Sequence, residues 1–250
     1  MTTSKKAYLN WSSGKDALMA FHHIHETRSY DIQKLVTTVN DELQRVSMHG
    51  VSVELLRAQA KALQLPLHII ALRGDVSLSV YNNTMQEHMQ QLVHEGFGYA
   101  VFGDILLEDL KAYREKELRK VGLEAVFPLW KKDTLSLAKE FIDLGYKAIV
   151  VCISAKELDV SFCGREFDHQ FLKDLPANVD PCGENGEFHT FVYDGPLFKN
   201  PIVFEKKEKV MQMYEPSNKN PDDDCFKGQT FWDNQFWFQE LVEPSFTKKE

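Results

Sequence analysis

The feature that most constrains this chain is an alternation that runs through its first 150 residues. Short apolar segments of strand length, Ala7–Trp11, Leu35–Val39, Leu67–Ala71, Tyr99–Phe102 and Ala148–Ile153, alternate with longer segments. In those longer segments, Lys15–Glu26, Val51–Leu63, Val80–Glu95, Leu110–Val121 and Thr134–Leu144, apolar residues recur at helical spacing. Pro66, Gly103, Gly122 and Gly145 punctuate the boundaries. Strands that are apolar throughout cannot face water on either side, so the helices must cover both faces of one sheet. Right-handed crossovers then dictate an α/β fold with a doubly wound, mostly parallel, five-stranded sheet. In such sheets ligands bind beyond the carboxyl ends of the strands, which singles out the loops after Trp11, Val39, Ala71 and Phe102.

Beyond residue 155 the texture changes. Helical periodicity weakens, and Gly, Pro and acidic residues interrupt the chain. Phe188–Tyr193, Ile202–Met213 and Phe236–Val242 read as strands, the second as an edge because its middle is charged. Glu215–Gly228, with Asp222-Asp223-Asp224, reads as a polar surface loop. This part is expected to form a smaller C-terminal α+β domain.

The balance of 29 basic and 37 acidic residues gives a net charge of -8. Non-specific nucleic-acid binding requires clustered Lys and Arg, so nucleic acid is not an expected partner. Lys111, Arg114, Lys116, Arg119 and Lys120 alternate with Glu115 and Glu117, as on a solvated helix. No run approaches the ~18 apolar residues that span a membrane. The start of the chain lacks the pattern of a secretory signal, so cytoplasm is the expected setting. Cys152, Cys163, Cys182 and Cys225 form no CxxC pair and fit neither a zinc site nor a disulfide framework.

Chemistry concentrates first at Ser12-Ser13-Gly14-Lys15-Asp16, between the first strand and the first helix. Unpaired N–H groups at a helix start bind anions, two serine hydroxyls add donors, Gly14 permits close approach and Lys15 adds charge. This is not a Walker A loop: the Gly required five positions before Gly14 is Leu9, and the Ser or Thr after Lys15 is Asp16. An acidic residue beside that lysine suits a phosphate if Mg²⁺ bridges the two, or if Asp16 caps the helix.

A second constellation is Glu184, Glu187 and His189, with Gly183 and Gly186 between them. Two carboxylates and an imidazole can orient ammonia, hold Mg²⁺ or accept a proton, and equally can be a polar turn. In a regular strand Glu187 and His189 share a face. Asn40, Gly103 and Asp104 lie at carboxyl ends of strands, where turn residues also belong. Arg165 suits a phosphate, a carboxylate or a structural ion pair. His22, His23 and His25 lack an acidic or Cys partner and read as a solvated helix face. Phe231, Trp232, Phe236, Trp237 and Phe238 read as packing of a C-terminal hairpin.

The Ser12–Asp16 segment resembles the PP-loop of the N-type ATP pyrophosphatases, a HUP-like group. Phe102-Gly103-Asp104-Ile105, Gly122–Trp130, Gly164-Arg165 and above all Cys182–Phe191 resemble the diphthine–ammonia ligase family. The similarity covers roughly residues 7–204. It implies an ATP-binding domain over residues 1–130 and a substrate-binding, catalytic domain with a β-rich tail over 131–250. It also implies adenylation of a carboxylate and displacement of AMP by ammonia to give an amide, with release of pyrophosphate. In that family the carboxylate belongs to a modified histidine of elongation factor 2. The resemblance assigns ATP and Mg²⁺ to Ser12, Ser13, Gly14, Lys15, Asp16, Gly103 and Asp104, with Asp16 the candidate Mg²⁺ ligand, and to His49, which the sequence alone would equally read as a surface histidine; Asn40 joins them by its place at the end of a strand. It assigns catalysis to Lys15, Glu184, Glu187 and His189, and substrate binding to Gly164, Arg165, Gly186 and Thr190. Ser13 and Ala17 stand where the family's loop has Gly and Ser. They leave open a small-molecule acid as acceptor, and a sensor that binds ATP or AMP without turnover. The expected partners are thus ATP, ammonia and a carboxylate substrate; a homodimer stays open, because the sequence does not fix the oligomeric state.

Overall fold

The computed structural model describes residues 5–46, 49–73, 77–213 and 235–244. The polar segment 215–228, with Cys225, and the aromatic pair Phe231 and Trp232 lie outside them. The elements run β1 (Lys6–Asn10), α1 (Lys15–Thr27), β2 (Asp31–Asn40), β3 (Arg45–Val46), α2 (Val53–Ala62), β4 (Leu67–Leu72) and α3 (Leu78–His94). They continue with β5 (Tyr99–Val101), α4 (Glu108–Lys120), β6 (Glu124–Val126), α5 (Thr134–Asp143) and β7 (Lys147–Ser154). A 3₁₀ turn (Val160–Phe162), α6 (His169–Asp174), β8 (Phe188–Asp194), β9 (Glu205–Met213) and β10 (Gln235–Val242) complete the order.

Five parallel strands form the first sheet in the spatial order β4-β2-β1-β5-β6, with β3 antiparallel at the end of β2. Along β1, Ala7 and Leu9 pack with α1 and α2, while Tyr8 points the other way toward Met89, Leu92 and Leu118 of α3 and α4. Successive strand side chains face opposite sides, and here both sides are buried, which is the doubly wound sandwich expected. Its fifth strand is β6 and not Ala148–Ile153. That segment, β7, sits inside a second, wholly antiparallel sheet ordered β8-β7-β10-β9. Ala148–Ile153 is at most 1% exposed, so its pattern is continuous and carries no mark of strand direction.

The two sheets share one core. Leu9, Leu18 and Leu55 of the first half belong to the same buried cluster as Phe141, Ile149, Phe171, Phe188 and Phe191 of the second. Four helices start on side-chain caps: Ser52 accepts from Leu55 N, Ser77 from Val80 N, Asp133 from Ser136 N and Asp168 from Phe171 N, each worth about 1 kcal/mol. The α1 helix has no such cap. Its first N–H is satisfied from the other sheet, as described below. Among the described residues, no helix is long and apolar enough to cross a membrane.

Candidate functional site

The site grows from the end of β1. Trp11 continues the strand by donating its N–H to Val36 O. Ser13 then adopts φ +76°, a left-handed conformation that disfavours any side chain. Three polar contacts fix the turn. Ser13 O accepts from Val192 N of β8 at 3.0 Å and from Gln59 Nε2 of α2 at 3.0 Å. The Ser13 hydroxyl lies 3.4 Å from His49 Nδ1. Gly14 follows, and a Cβ there would fall 3.0 Å from the His49 ring and 3.3 Å from Thr190 O. The close approach is the reason for glycine at this point. At the first residue of α1, Lys15 N–H donates to Thr190 Oγ1 at 3.0 Å.

Lys15 is only 2% exposed. Its ammonium donates to Asp16 Oδ2 at 3.0 Å and to the Cys182 carbonyl, and lies 5.1–5.5 Å from the ring centroids of Phe188 and Phe167. Burial works against the charged form, yet the neighbouring anions, Asp16 foremost, outweigh it and raise the Lys15 pKa. The ammonium therefore stays charged. Burial lifts the Asp16 carboxyl above its ordinary value, with Lys15 opposing. Gly103, after β5, packs directly on this helix start: a Cβ there would come within 2.7 Å of the backbone of Asp16 and Ala17.

The Cys182–Glu187 turn closes over the same point from the second sheet. Glu184 Oε1 accepts from both Ile105 N and Leu106 N at 2.9 Å, which ties the turn to the loop after β5. Burial, with Asp16 nearby, raises the Glu184 pKa to about 7 against the pull of those N–H groups. Glu187 is 4% exposed and fully engaged. Its oxygens accept from Asp180 N, Asn185 N and Asn185 Nδ2 at 2.9–3.0 Å. That carboxylate braces the turn and does not face the ammonium. Gly186 supplies the turn's left-handed backbone at φ +85°. His189 stacks against His49 with ring centroids 4.6 Å apart. Burial holds His49 down at about 4 and His189 well below its usual range. Both imidazoles are neutral at physiological pH, and the buried His189 Nε2 has no hydrogen-bond partner among the described residues.

The structure thus brings together Ser12–Asp16, His49, Gly103, Glu184, Gly186, Glu187, His189 and Thr190. Other candidates have different employment. Asn40 Oδ1 caps its own turn by accepting from Glu42 N and Leu43 N. Asp104 pairs with Arg114 Nε at 3.0 Å, and the guanidinium stacks on Phe102. Arg165 pairs with Asp174 at 2.6 Å and lies over the Phe162 and Phe171 rings, while Gly164 packs on Gln239. The turn at Asn40 and the ion pair of Arg165 are the structural alternatives that the sequence left open; the Asp104–Arg114 pair and the packing of Gly164 are not. His22 and His23 are also not a solvated face. They reach Tyr146 Oη at 3.0 Å and Glu140 at 3.1 Å, joining α1 to its neighbours.

Two residues of the site escaped the sequence. Asp180 accepts from Cys182 N, Glu184 N and Thr134 Oγ1, and so shapes the turn. Gln59 is wholly buried. A signal for it existed: Gln59 is a polar residue four positions after Leu55, on the apolar face of a helix.

For Mg²⁺, Asp16 Oδ1 is a buried carboxylate oxygen without a hydrogen-bond partner among the described residues. Among the described residues no group of three or more His, Cys, Asp or Glu can hold a metal ion. One carboxylate completed by phosphate oxygens is an ordinary Mg²⁺ arrangement, so Asp16 fits that role only together with a nucleotide. Cys182 offers no nucleophile, because burial pushes its thiol up and its Sγ lies 3.3 Å from Thr134 O.

Comparison with known proteins bears on this geometry. Residues 5–125 match the diphthamide synthase N-terminal domain and residues 133–216 the diphthamide synthase C-terminal domain. The mouse diphthine–ammonia ligase is 30% identical over 189 residues, 69% of this chain and 70% of that protein. The human protein of the same name is 27% identical over 188 residues, again 69% and 70% of the two chains. The Schizosaccharomyces pombe ligase is 26% identical over 185 residues, 68% of this chain but 30% of its own length. A U34-tRNA thiolase from Methanococcus maripaludis with its [4Fe-4S] cluster overlays with a TM-score of 0.35 at 15% identity. That overlay spans 56% of this chain and 57% of the thiolase, a likeness too loose to carry an argument.

Proposed function

The chain belongs to the diphthine–ammonia ligase family, and on that basis we propose that it is an ATP-dependent ligase that turns a carboxylate into an amide, releasing AMP and pyrophosphate. One observation supports this above the others. The Ser12–Asp16 loop at the end of β1 and the Glu184 turn before β8 meet at one point, tied by Lys15 to Cys182 O and by Glu184 to the loop after β5. A phosphate site and a titratable carboxylate are thereby juxtaposed.

The division of labour we propose gives residues 1–130 the nucleotide and residues 131–250 the acceptor. The N–H of Lys15 is taken by Thr190, so the phosphates are held by the remaining donors of the loop, the Ser12 and Ser13 hydroxyls among them, and by the Lys15 charge. Asp16 is the residue that would hold Mg²⁺, which would supply neutralisation of phosphate charge. An acceptor carboxylate oxygen attacks the α-phosphorus and pyrophosphate leaves. Ammonia then attacks the acyl carbon, AMP leaves, and the surplus proton passes to Glu184. A carboxylate titrating near 7 is suited to accept and return protons at neutral pH. His189 lies beside His49, both neutral, and its Nε2 is the ring nitrogen left to accept from the incoming ammonia. Glu187 and Gly186 hold the turn. Splitting the reaction through an acyl adenylate replaces a poor leaving group by a good one.

The acceptor we favour is the diphthine carboxylate on elongation factor 2, and the setting the cytoplasm, where Cys152, Cys163 and Cys182 stand as free thiols. The test incubates purified protein with ATP, Mg²⁺, ammonium and elongation factor 2 carrying diphthine. AMP and amide should form in equal amounts. Formation of ADP, or ATP binding that never yields AMP, sinks the ligase reading. AMP formed only with a small carboxylic acid keeps the chemistry and removes the acceptor.

A further inference from the structure

We infer that Gln59, on α2, is a positioning residue for the nucleotide loop: it holds Ser13 in a backbone conformation that serine does not adopt unaided. The inference rests on the ATP site proposed above. Gln59 is 0% exposed, and its three hydrogen bonds reach three different segments. Its Oε1 accepts from Trp11 Nε1 at 2.8 Å, at the end of β1. Its Nε2 donates to Ser13 O at 3.0 Å, within the loop, and to Val192 O at 2.7 Å, on β8. One amide therefore fixes the last residue of the strand, the strained residue of the loop and the strand of the second sheet that closes the site.

The chemistry at Ser13 makes such a clamp necessary. At φ +76° an L side chain crowds the following carbonyl, and glycine is the residue that accepts this region without penalty. Serine relaxes toward negative φ unless its peptide groups are held. A relaxed Ser13 would re-aim its own hydroxyl and the Gly14 N–H, which is the geometry a phosphate site needs. The amide is also specific in sense. Both acceptors of Nε2 are carbonyls, so that corner requires an N–H donor, and Oε1 must accept from an indole that can only donate. A carboxylate of the same shape meets two carbonyl oxygens with a lone pair unless it is protonated.

The test compares ATP binding by calorimetry with amide hydrogen exchange at residues 12–16, in wild type, Gln59→Leu, Gln59→Glu and Ser13→Gly. Gln59→Glu keeps the shape should Gln59→Leu fail to fold. Wild type should bind ATP. Gln59→Leu and Gln59→Glu should bind about tenfold more weakly and exchange faster at residues 12–16. Gln59→Glu should recover as pH falls and its new carboxyl protonates. Measured in a Ser13→Gly background, the loss caused by either Gln59 variant should shrink to less than about threefold, because glycine holds positive φ without the clamp, whatever Ser13→Gly itself costs through its missing hydroxyl. The inference is overturned if folded Gln59 variants bind ATP and protect the loop as wild type does, or if the loss caused by the Gln59 variants is as large in the Ser13→Gly background as in wild type. If wild type binds no ATP, the functional reading fails instead, and the exchange data still decide whether Gln59 holds the loop.

Discussion

The Lys15 N–H donates to Thr190 Oγ1 at 3.0 Å across 175 residues of sequence. It is the hydrogen bond that converts an uncapped helix start into a fixed one, and it does so from the other sheet. The α1 helix lacks a side-chain cap of its own, so the orientation of the nucleotide loop depends on β8. A site formed in this way is intact only when both sheets are packed together.

Thr190→Val tests that dependence. The substitution keeps the shape and removes the acceptor, leaving a buried N–H unpaired at a cost of about 1–3 kcal/mol. The urea midpoint should fall with an unchanged slope, and ATP affinity should fall with it. Thr190→Ser, which retains the oxygen, should lose much less of either.

Lys15 has a structural role beside its chemical one. Its ammonium is the counter-ion of Asp16, whose Oδ1 is buried although the side chain as a whole is 30% exposed. Lys15→Met should destabilise by roughly 3 kcal/mol, the low end for breaking a buried pair. Lys15→Met with Asp16→Asn should recover part of this in thermal unfolding and recover no AMP formation. A double variant as unstable as the single one would contradict the pairing.

Much of this was legible in advance, and the failures share causes. The anion loop was readable because strand, loop and helix are contiguous and each carries its own period or capping signal. The antiparallel character of β7 was not, since a strand buried on both faces shows the same apolar run whatever the direction of its neighbours. Strand β6 was too short, at three residues, for any period to register. Asn40, Asp104 and Arg165 have the chemistry of ligand-binding residues, but their partners, a local turn, Arg114 and Asp174, are set by tertiary placement. The same ambiguity works in the other direction at Gln59, whose polar side chain on an apolar helix face signals a buried partner without saying which.

Glu184 should impose a pH dependence of definite sign. Its folded pKa, about 7, lies above the ordinary carboxylate value, mainly through burial. Between those two values the native state binds the proton that the unfolded state has released. Stability from this group is therefore complete below the unfolded pKa and is lost as pH rises through 7. Amide formation should change in the opposite direction, increasing through pH 7 as the proton acceptor forms. Glu184→Gln should flatten the stability profile over that window and remove the inflection near 7 from the rate. A variant that keeps the inflection would assign it to another group.

Glu187 distinguishes a brace from a catalyst. The family resemblance places it in the chemistry, whereas its two oxygens are spent on Asp180 N, Asn185 N and Asn185 Nδ2. Glu187→Gln keeps one acceptor oxygen and sets an NH₂ group against backbone donors, so the Asp180–Glu187 turn should loosen. The Lys15 contact with the Cys182 carbonyl, which this turn presents, should loosen as well. A brace predicts lower stability and a higher KM for ATP, with kcat reduced by less than about tenfold. Loss of a general acid or base predicts a kcat lower by about 10²–10⁴ at unchanged stability. Steady-state AMP formation measured beside urea unfolding separates the two, and hydrogen bonds already saturated by the turn favour the first.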